Sequence, residues 1–398
     1  MARRISSAVL CAALLTGACT ASPADRGPEA EAPPVEPTPT ALAVDELADG
    51  LEHGWDVGFL PGGKLLLTER PGKLKLFSSG KPGAEITDVD ANFDDVFAEG
   101  EGGLMGLAVH PDFEQSQRFT TCQTHQADGE GVDVRLVTWR LASDGGSARR
   151  VNTLLTGMPI NGDGRHSGCR PMFNEDGALL VGTGDAADPA TAQDKAGLGG
   201  KVLRIDPETG EGLDDNPFAD SDNPNTRRIA SFGHRNIQGI TMQPGSARVF
   251  TAEHGPDVDD EVNVLELGGN YGWDPSQGGT VDSYDESVPM TDLDRFPDAV
   301  RPAWTTGDMT EAICGTDFLT GDQWGELEGS LAVASLRGSK LILLGVDDNG
   351  EITKRSDPAE LDGEYGRLRA ARTGPDGALY VTTSNGDNDL LLRVTPAP

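Results

Sequence analysis

Between residues 60 and 387 the chain returns six times to one theme: a turn containing Gly or Pro, an alternating apolar run, and a second turn. The instances are LPGGKLLLTER (60–70), MGLAVHPDFEQSQRFTT (105–121), NEDGALLVGTGD (174–185), QPGSARVFTAEHG (243–255), LEGSLAVASLRG (327–338) and GPDGALYVTTSNGD (374–387). Period-two alternation after D-G or G-G turns predicts short antiparallel strands linked by hairpins. The repeats recur irregularly, about 45 to 85 residues apart. Six such sheets stacked radially form an all-β, six-bladed β-propeller, which hides strand edges and sends loops toward a central channel. A pair of β-sandwiches is the competing architecture. No segment reads as a βαβ unit, because glycine-rich Gly197-Leu198-Gly199-Gly200 leads into the strand-like LRIDP instead of a helix.

Composition agrees with many turns and short strands. Gly 52 and Pro 26 are abundant among 398 residues, while aromatic residues reach only 5%. With Lys+Arg 32 against Asp+Glu 65, the net charge is −33, which argues against nucleic acid as a partner, since such binding rests on phosphate neutralisation.

The opening MARRISSAVLCAALLTGACTAS joins two arginines to a short apolar run and small residues before Cys19. It is too short to span a membrane and reads as a secretion signal over residues 1–18, with a bacterial lipobox-like site that would place lipid on Cys19. An ordinary signal cleaved near Ala21 is the alternative. Residues 19–42 are rich in Pro, Ala, Glu and Thr, cannot bury a core, and are expected to be an extended tether. The propeller then occupies 43–398, outside the cytoplasmic membrane and attached to it only through the lipid, or secreted. In that compartment a disulfide persists, and Cys122 with Cys169 is the preferred pair because both lie beside the histidine segment below. Cys314 is then left as a buried free thiol.

Three clusters carry candidate chemistry. His166, in GDGRHSGCRPMF, is polar and glycine-bounded, so it is expected at an exposed loop rim where it can titrate. Asp185 ends the following strand pair, and a hairpin can bring a carboxylate nineteen residues on beside the imidazole, fixing its tautomer and raising its basicity. In FGHRNIQG (232–239), Arg235, Asn236 and Gln238 suit a planar ligand bearing carbonyl and carboxylate oxygens, although a turn capped by its own side chains fits the segment equally. EHGPDVDDEVN (253–263) is acidic but lacks EF-hand spacing. Gly255-Pro256 could instead present two backbone carbonyls to calcium. Finally Arg337, and Arg367 with Arg369 on one face of a strand, could clamp an anion with several carboxylates or simply pair with the abundant acids.

Taken in order, GEGGLMGLAVHPDF, GRHSGCR, GTGD, GHRNIQG, EHGPDVDDEVN, GGNYGW, SLRG and GRLRAARTGPDGALYV resemble the bacterial soluble aldose (glucose/sorbosone-type) sugar dehydrogenases that use pyrroloquinoline quinone, over residues 50 to 395. The resemblance implies a six-bladed propeller with quinone and Ca2+ in the axial pocket and a small sugar as substrate. It assigns His166 as the general base for the anomeric hydroxyl and Asp185 as the carboxylate that orients it. Arg235 would stabilise charge on the quinone C5 oxygen beside Asn236 and Gln238, and the carbonyls of Gly255 and Pro256 would ligate calcium. Arg337 sits where Lys is frequent, Arg367 and Arg369 match the carboxylate clamp, and Glu101 stands at a position commonly Gln that faces cofactor and sugar. The departures are Ile237 in place of Pro and GDMTEAICG (307–315) in place of a T-x-A-P-S-type loop. Thr310 there matches a quinone-contacting threonine, the charge of Glu311 has no assigned partner, and Trp304 is the candidate aromatic neighbour of the quinone. Two other classes of function compete: a calcium-dependent propeller lactonase with calcium on side-chain carboxylates, and a non-catalytic cell-surface binding propeller.

Overall fold

The computed structural model describes residues 33–281 and 283–398, so the expected signal segment and Cys19 lie outside the described residues. The described chain forms six antiparallel sheets. Blade 1 holds Gly54–Phe59, Leu65–Glu69, Lys73–Phe77 and Ile86–Asp88. Blade 2 holds Leu104–Val109, Arg118–Ala127, Glu130–Leu141 and Ala148–Met158, and blade 3 Arg170–Phe173, Leu179–Gly182, Lys201–Ile205 and Ile229–Phe232. Blade 4 comprises Ile237–Met242, Val249–Glu253, Glu261–Val264 and Trp304–Thr305, and blade 5 Ile313–Phe318, Leu331–Ser335, Lys340–Val346 and Ile352–Ser356. Blade 6 comprises Leu368–Thr373, Leu379–Thr383 and Asp389–Pro396, and its outermost strand is Leu42–Leu51, from the other end of the chain.

The first strand of each blade contacts the first strand of the next, and blade 6 returns to blade 1, so the sheets close into a ring. Each blade is sandwiched between two others, which is why strands such as Leu65–Glu69, Leu331–Ser335 and Leu379–Thr383 are buried on both faces. The core is correspondingly divided. Separate apolar clusters fill the seams between blades 1 and 2, 2 and 3, 3 and 4, 4 and 5, 5 and 6, and 6 and 1. Each seam excludes water from both of its sheets.

All six sequence repeats fall at the hairpin from first to second strand of a blade. Their uneven spacing has a physical source: the long excursions, 183–200 in blade 3 and 265–303 in blade 4, leave from later strands. Val35–Glu36, within the predicted tether, pairs in parallel with Ile352–Ser356 of blade 5 and covers that edge. Cys122 and Cys169 are bonded, with Cα atoms 6.1 Å apart, and Cys314 is free and buried. No helix among the described residues is long and apolar enough to cross a membrane.

Candidate active site

The site lies at the end of the ring where first strands begin and second strands finish. Glu101, His166, Arg235, Asn236, Thr310 and Arg367 precede or open first strands, while Asp185, Gly255, Pro256 and Arg337 follow second strands. In blade 3 the antiparallel register pairs Arg170 with Gly182. Continued outward, it sets His166 against Ala186, whose N–H donates to the His166 carbonyl at 3.3 Å. Gly184 is required there, because a Cβ would meet that carbonyl oxygen at 1.9 Å.

This register brings His166 Nδ1 to 2.8 Å from Asp185 Oδ1. The other carboxylate oxygen accepts from Trp273 Nε1 at 2.8 Å and from the Tyr284 hydroxyl at 2.6 Å, and Asp185 is fully buried. Nε2 of His166 has no protein partner among the described residues. His166 is not at an exposed rim as the sequence suggested; only 4% of it is accessible, because Tyr284 packs over it with ring centroids 5.6 Å apart. The Cys122–Cys169 bond ties this segment to the second strand of blade 2.

Beside the histidine segment, Glu101 Oε2 accepts from Asn236 Nδ2 and Gln238 Nε2, each at 3.0 Å. Burial would raise the Glu101 carboxyl, but the Asn236 hydrogen bond and the Arg369 charge outweigh it and hold its pKa below the usual range. Asn236 Oδ1 accepts the backbone N–H of Gly168 at 3.1 Å, locking blade 4 to the histidine segment. Gln238 Oε1 accepts from Arg369 Nη1 at 3.3 Å and from the Cys314 thiol at 3.6 Å. Arg369 is 4% exposed and stands 5.4 Å from the Trp55 ring centre. Glu101, Asn236, Gln238 and Arg369 therefore form one polar network.

Arg235 is buried and donates to the His254 carbonyl at 2.9 Å and to Glu286 at 2.7 Å, while its Nε has no partner. The neighbouring His254 Nε2 is also buried and unpartnered, and burial pushes that imidazole down to about 3, keeping it neutral. Gly255 and Pro256 follow, and neither carbonyl accepts a hydrogen bond from the described residues. The loop is fixed from below by fully buried Asp260, which accepts from Gly255 N at 2.9 Å, Thr310 Oγ1 at 2.7 Å and Glu311 N at 2.7 Å. Burial raises that carboxyl to about 6. A Cβ on Gly255 would meet the Val258 carbonyl at 2.0 Å, so the tight turn demands glycine. Two bare carbonyls beside the unpartnered Arg235 Nε and His254 Nε2 fit a hard cation and an oxygen-rich ligand. Among the described residues no group of three or more His, Cys, Asp or Glu could hold a metal through side chains.

Other predicted residues are dispersed. Arg367 and Arg369 do not share a strand face as expected. The strand begins at Leu368 with an irregular register to Ala370, leaving Arg367 exposed and Arg369 inside. Arg337 is on the rim, 3.8 Å from exposed Asp257. Thr310 commits its hydroxyl to Asp260, and Glu311 pairs with Lys340 at 3.1 Å and Arg355 at 3.6 Å. Trp304 is buried in the seam between blades 4 and 5, away from the network, with Arg355 over its ring. The sequence reading missed Trp273, Tyr284, Glu286, Arg165 and Asp260. Trp273 stood in the quoted GGNYGW, but Tyr284 and Glu286 lie in an aperiodic polar loop that carries no signal.

Comparison with known proteins gives concordant results. The profile of the family described as glucose/sorbosone dehydrogenase matches residues 51–392. The aldose sugar dehydrogenase YliI of Escherichia coli is 32% identical over 360 residues, covering 90% of this chain and 94% of its own. Among solved structures, the apo-form soluble aldose sugar dehydrogenase of E. coli matches with a TM-score of 0.76 at 31% identity, over 90% of this chain and all of its own (100%). The aldose sugar dehydrogenase of Streptomyces coelicolor, whose structure is described as the PQQ-bound form, matches with a TM-score of 0.70 at 29% identity, over 91% and 100% of the two chains.

Proposed function

The chain belongs to the glucose/sorbosone dehydrogenase family, and we propose that it oxidises aldoses at C1 to lactones, with pyrroloquinoline quinone as hydride acceptor and Ca2+ as its metal. The observation that carries this reading is the His166–Asp185 contact at 2.8 Å, buried and adjoining the Glu101–Asn236–Gln238–Arg369 network. With Nδ1 held by the carboxylate, Nε2 is the nitrogen left to take the proton of the anomeric hydroxyl, and Asp185 offsets the charge that develops on the ring. Arg235 and Asn236 offer N–H donors to a developing oxyanion. Arg369, with Arg367 at the mouth, offers guanidinium forks to carboxylates. When bound, the quinone would accept the hydride, and calcium on the Gly255 and Pro256 carbonyls would make it more electrophilic. Burial of the base keeps competing water away.

A lactonase with calcium on side-chain carboxylates finds no such group among the described residues. We also propose an extracytoplasmic location, lipid-anchored through Cys19 or secreted; the charged and apolar N-terminal segment and the Cys122–Cys169 disulfide support it.

The test is reconstitution of the apoprotein with pyrroloquinoline quinone and CaCl2, followed by dye reduction with a panel of aldoses. His166→Ala is expected to lower turnover about 10²- to 10⁴-fold while quinone affinity, read by absorption titration, persists. No sugar oxidised and no quinone bound would refute the proposal.

A further inference from the structure

We propose that Tyr284 is a positioning residue for the His166–Asp185 pair, carried by a strap that blade 4 inserts between its third and fourth strands. This rests on the reading of His166 as base. The strap occupies residues 265–303, and its own apolar cluster of Trp273, Met290, Tyr284 and Val288 against Ala192 anchors it to the blade 3 excursion.

From that anchor two side chains reach the chemistry. The Tyr284 hydroxyl donates to Asp185 Oδ2 at 2.6 Å and lies 3.2 Å from His166 Nδ1. Two residues on, Glu286 takes Arg235 at 2.7 Å and Arg165 at 3.0 Å. One short stretch thus touches the base, its carboxylate and the cationic donor. The physical effects of the two contacts have opposite signs. A donor on Asp185 draws charge from the carboxylate and weakens its hold on a protonated imidazole, while fixing its orientation. The Glu286 carboxylate adds negative charge near the same ring and favours protonation. The other ionisable groups facing His166 are Glu101 and His254, with Arg235 beside its partner Asp185, and they are common to every variant below.

Tyr284→Phe leaves Asp185 satisfied, since Oδ2 keeps Trp273 and Oδ1 keeps His166 and the Ala187 N–H at 2.8 Å. The decisive measurement is the NMR titration of the His166 ring in the full-length apoprotein, with no quinone present. Tyr284→Phe is expected to move the His166 midpoint up by roughly 0.3 to 1 unit, and Glu286→Gln to move it down by a similar amount. Loosening of the strap alone would move both variants the same way, and that result, or an unmoved midpoint in Tyr284→Phe, overturns the assignment. In holoenzyme, Tyr284→Phe should lower kcat about tenfold with the quinone Kd unchanged. Opposed NMR shifts in a protein that oxidises no aldose would defeat the proposed reaction and leave the positioning role intact.

Discussion

Glu101 is the residue whose charge most distinguishes this pocket, because it stands among donors that a neutral amide would also satisfy. The Asn236 hydrogen bond and the Arg369 charge hold its pKa low, so it is ionised at neutral pH despite burial. A carboxylate there favours protonated His166 and repels an anionic ligand. Glu101→Gln should therefore keep the base neutral to lower pH, shifting the acid limb of kcat/KM down by roughly 0.5 to 1 unit. It should also tighten binding of the proposed quinone several-fold, read by absorption titration; an unmoved limb with unchanged affinity would mean that the charge of Glu101 does not reach either partner. The His166–Asp185 pair itself was legible in the sequence because strand register converts a chain separation into a distance: hairpin pairing forces His166 opposite the turn after Gly182. The burial of His166 was not legible, since it depends on Tyr284, more than a hundred residues away in a loop without period. Arg367 and Arg369 show the converse failure. Their i, i+2 spacing predicts one face only inside a regular strand, and the strand starts between them.

Alternation and turn chemistry revealed the six first hairpins, since each must present one apolar turn-bounded run to a neighbouring blade. The third and fourth strands were less legible. Ala148–Met158 is largely exposed and polar, and Trp304–Thr305 is too short to show a period. The strap escaped for the same reason, having no repeated geometry to impose a pattern. The disulfide joins two levels, cross-linking the second strand of blade 2 to the segment that delivers His166, across a separation of 47 residues. A loop of that length removes conformational freedom from the unfolded chain worth about 4 kcal/mol. Cys122→Ala with Cys169→Ala should accordingly lower the unfolding free energy, read by urea titration, by an amount close to that figure, and should reduce turnover as the His166 segment loosens. A double variant as stable as the parent would show that packing between blades 2 and 3 alone fixes the segment.

At the level of the molecule, closure and charge oppose each other. The ring is shut by Leu42–Leu51 pairing antiparallel with Asp389–Pro396, so the last strand of the chain is covered by one from near its other end. Stability is shared among six seams whose burial is apolar and nearly indifferent to salt. The charge is not indifferent. A net −33 compresses repulsion into the folded volume, whereas the unfolded chain spreads the same charges apart. Exposed ion pairs such as Lys73–Glu52 at 2.7 Å and Arg118–Glu208 at 2.6 Å weaken with salt but contribute little each. Repulsion summed over the excess acids should outweigh them. Its range is about 30 Å at 0.01 M salt and falls to about 3 Å at 1 M. Raising NaCl over that interval, with calcium held constant so that no metal site is being titrated, should therefore raise Tm by about 2 to 5 °C. An equal osmolality of an uncharged solute should reproduce little of the rise. A Tm that is flat or falling in NaCl would mean that the surface ion pairs, rather than the excess of carboxylates, govern the electrostatics of this fold.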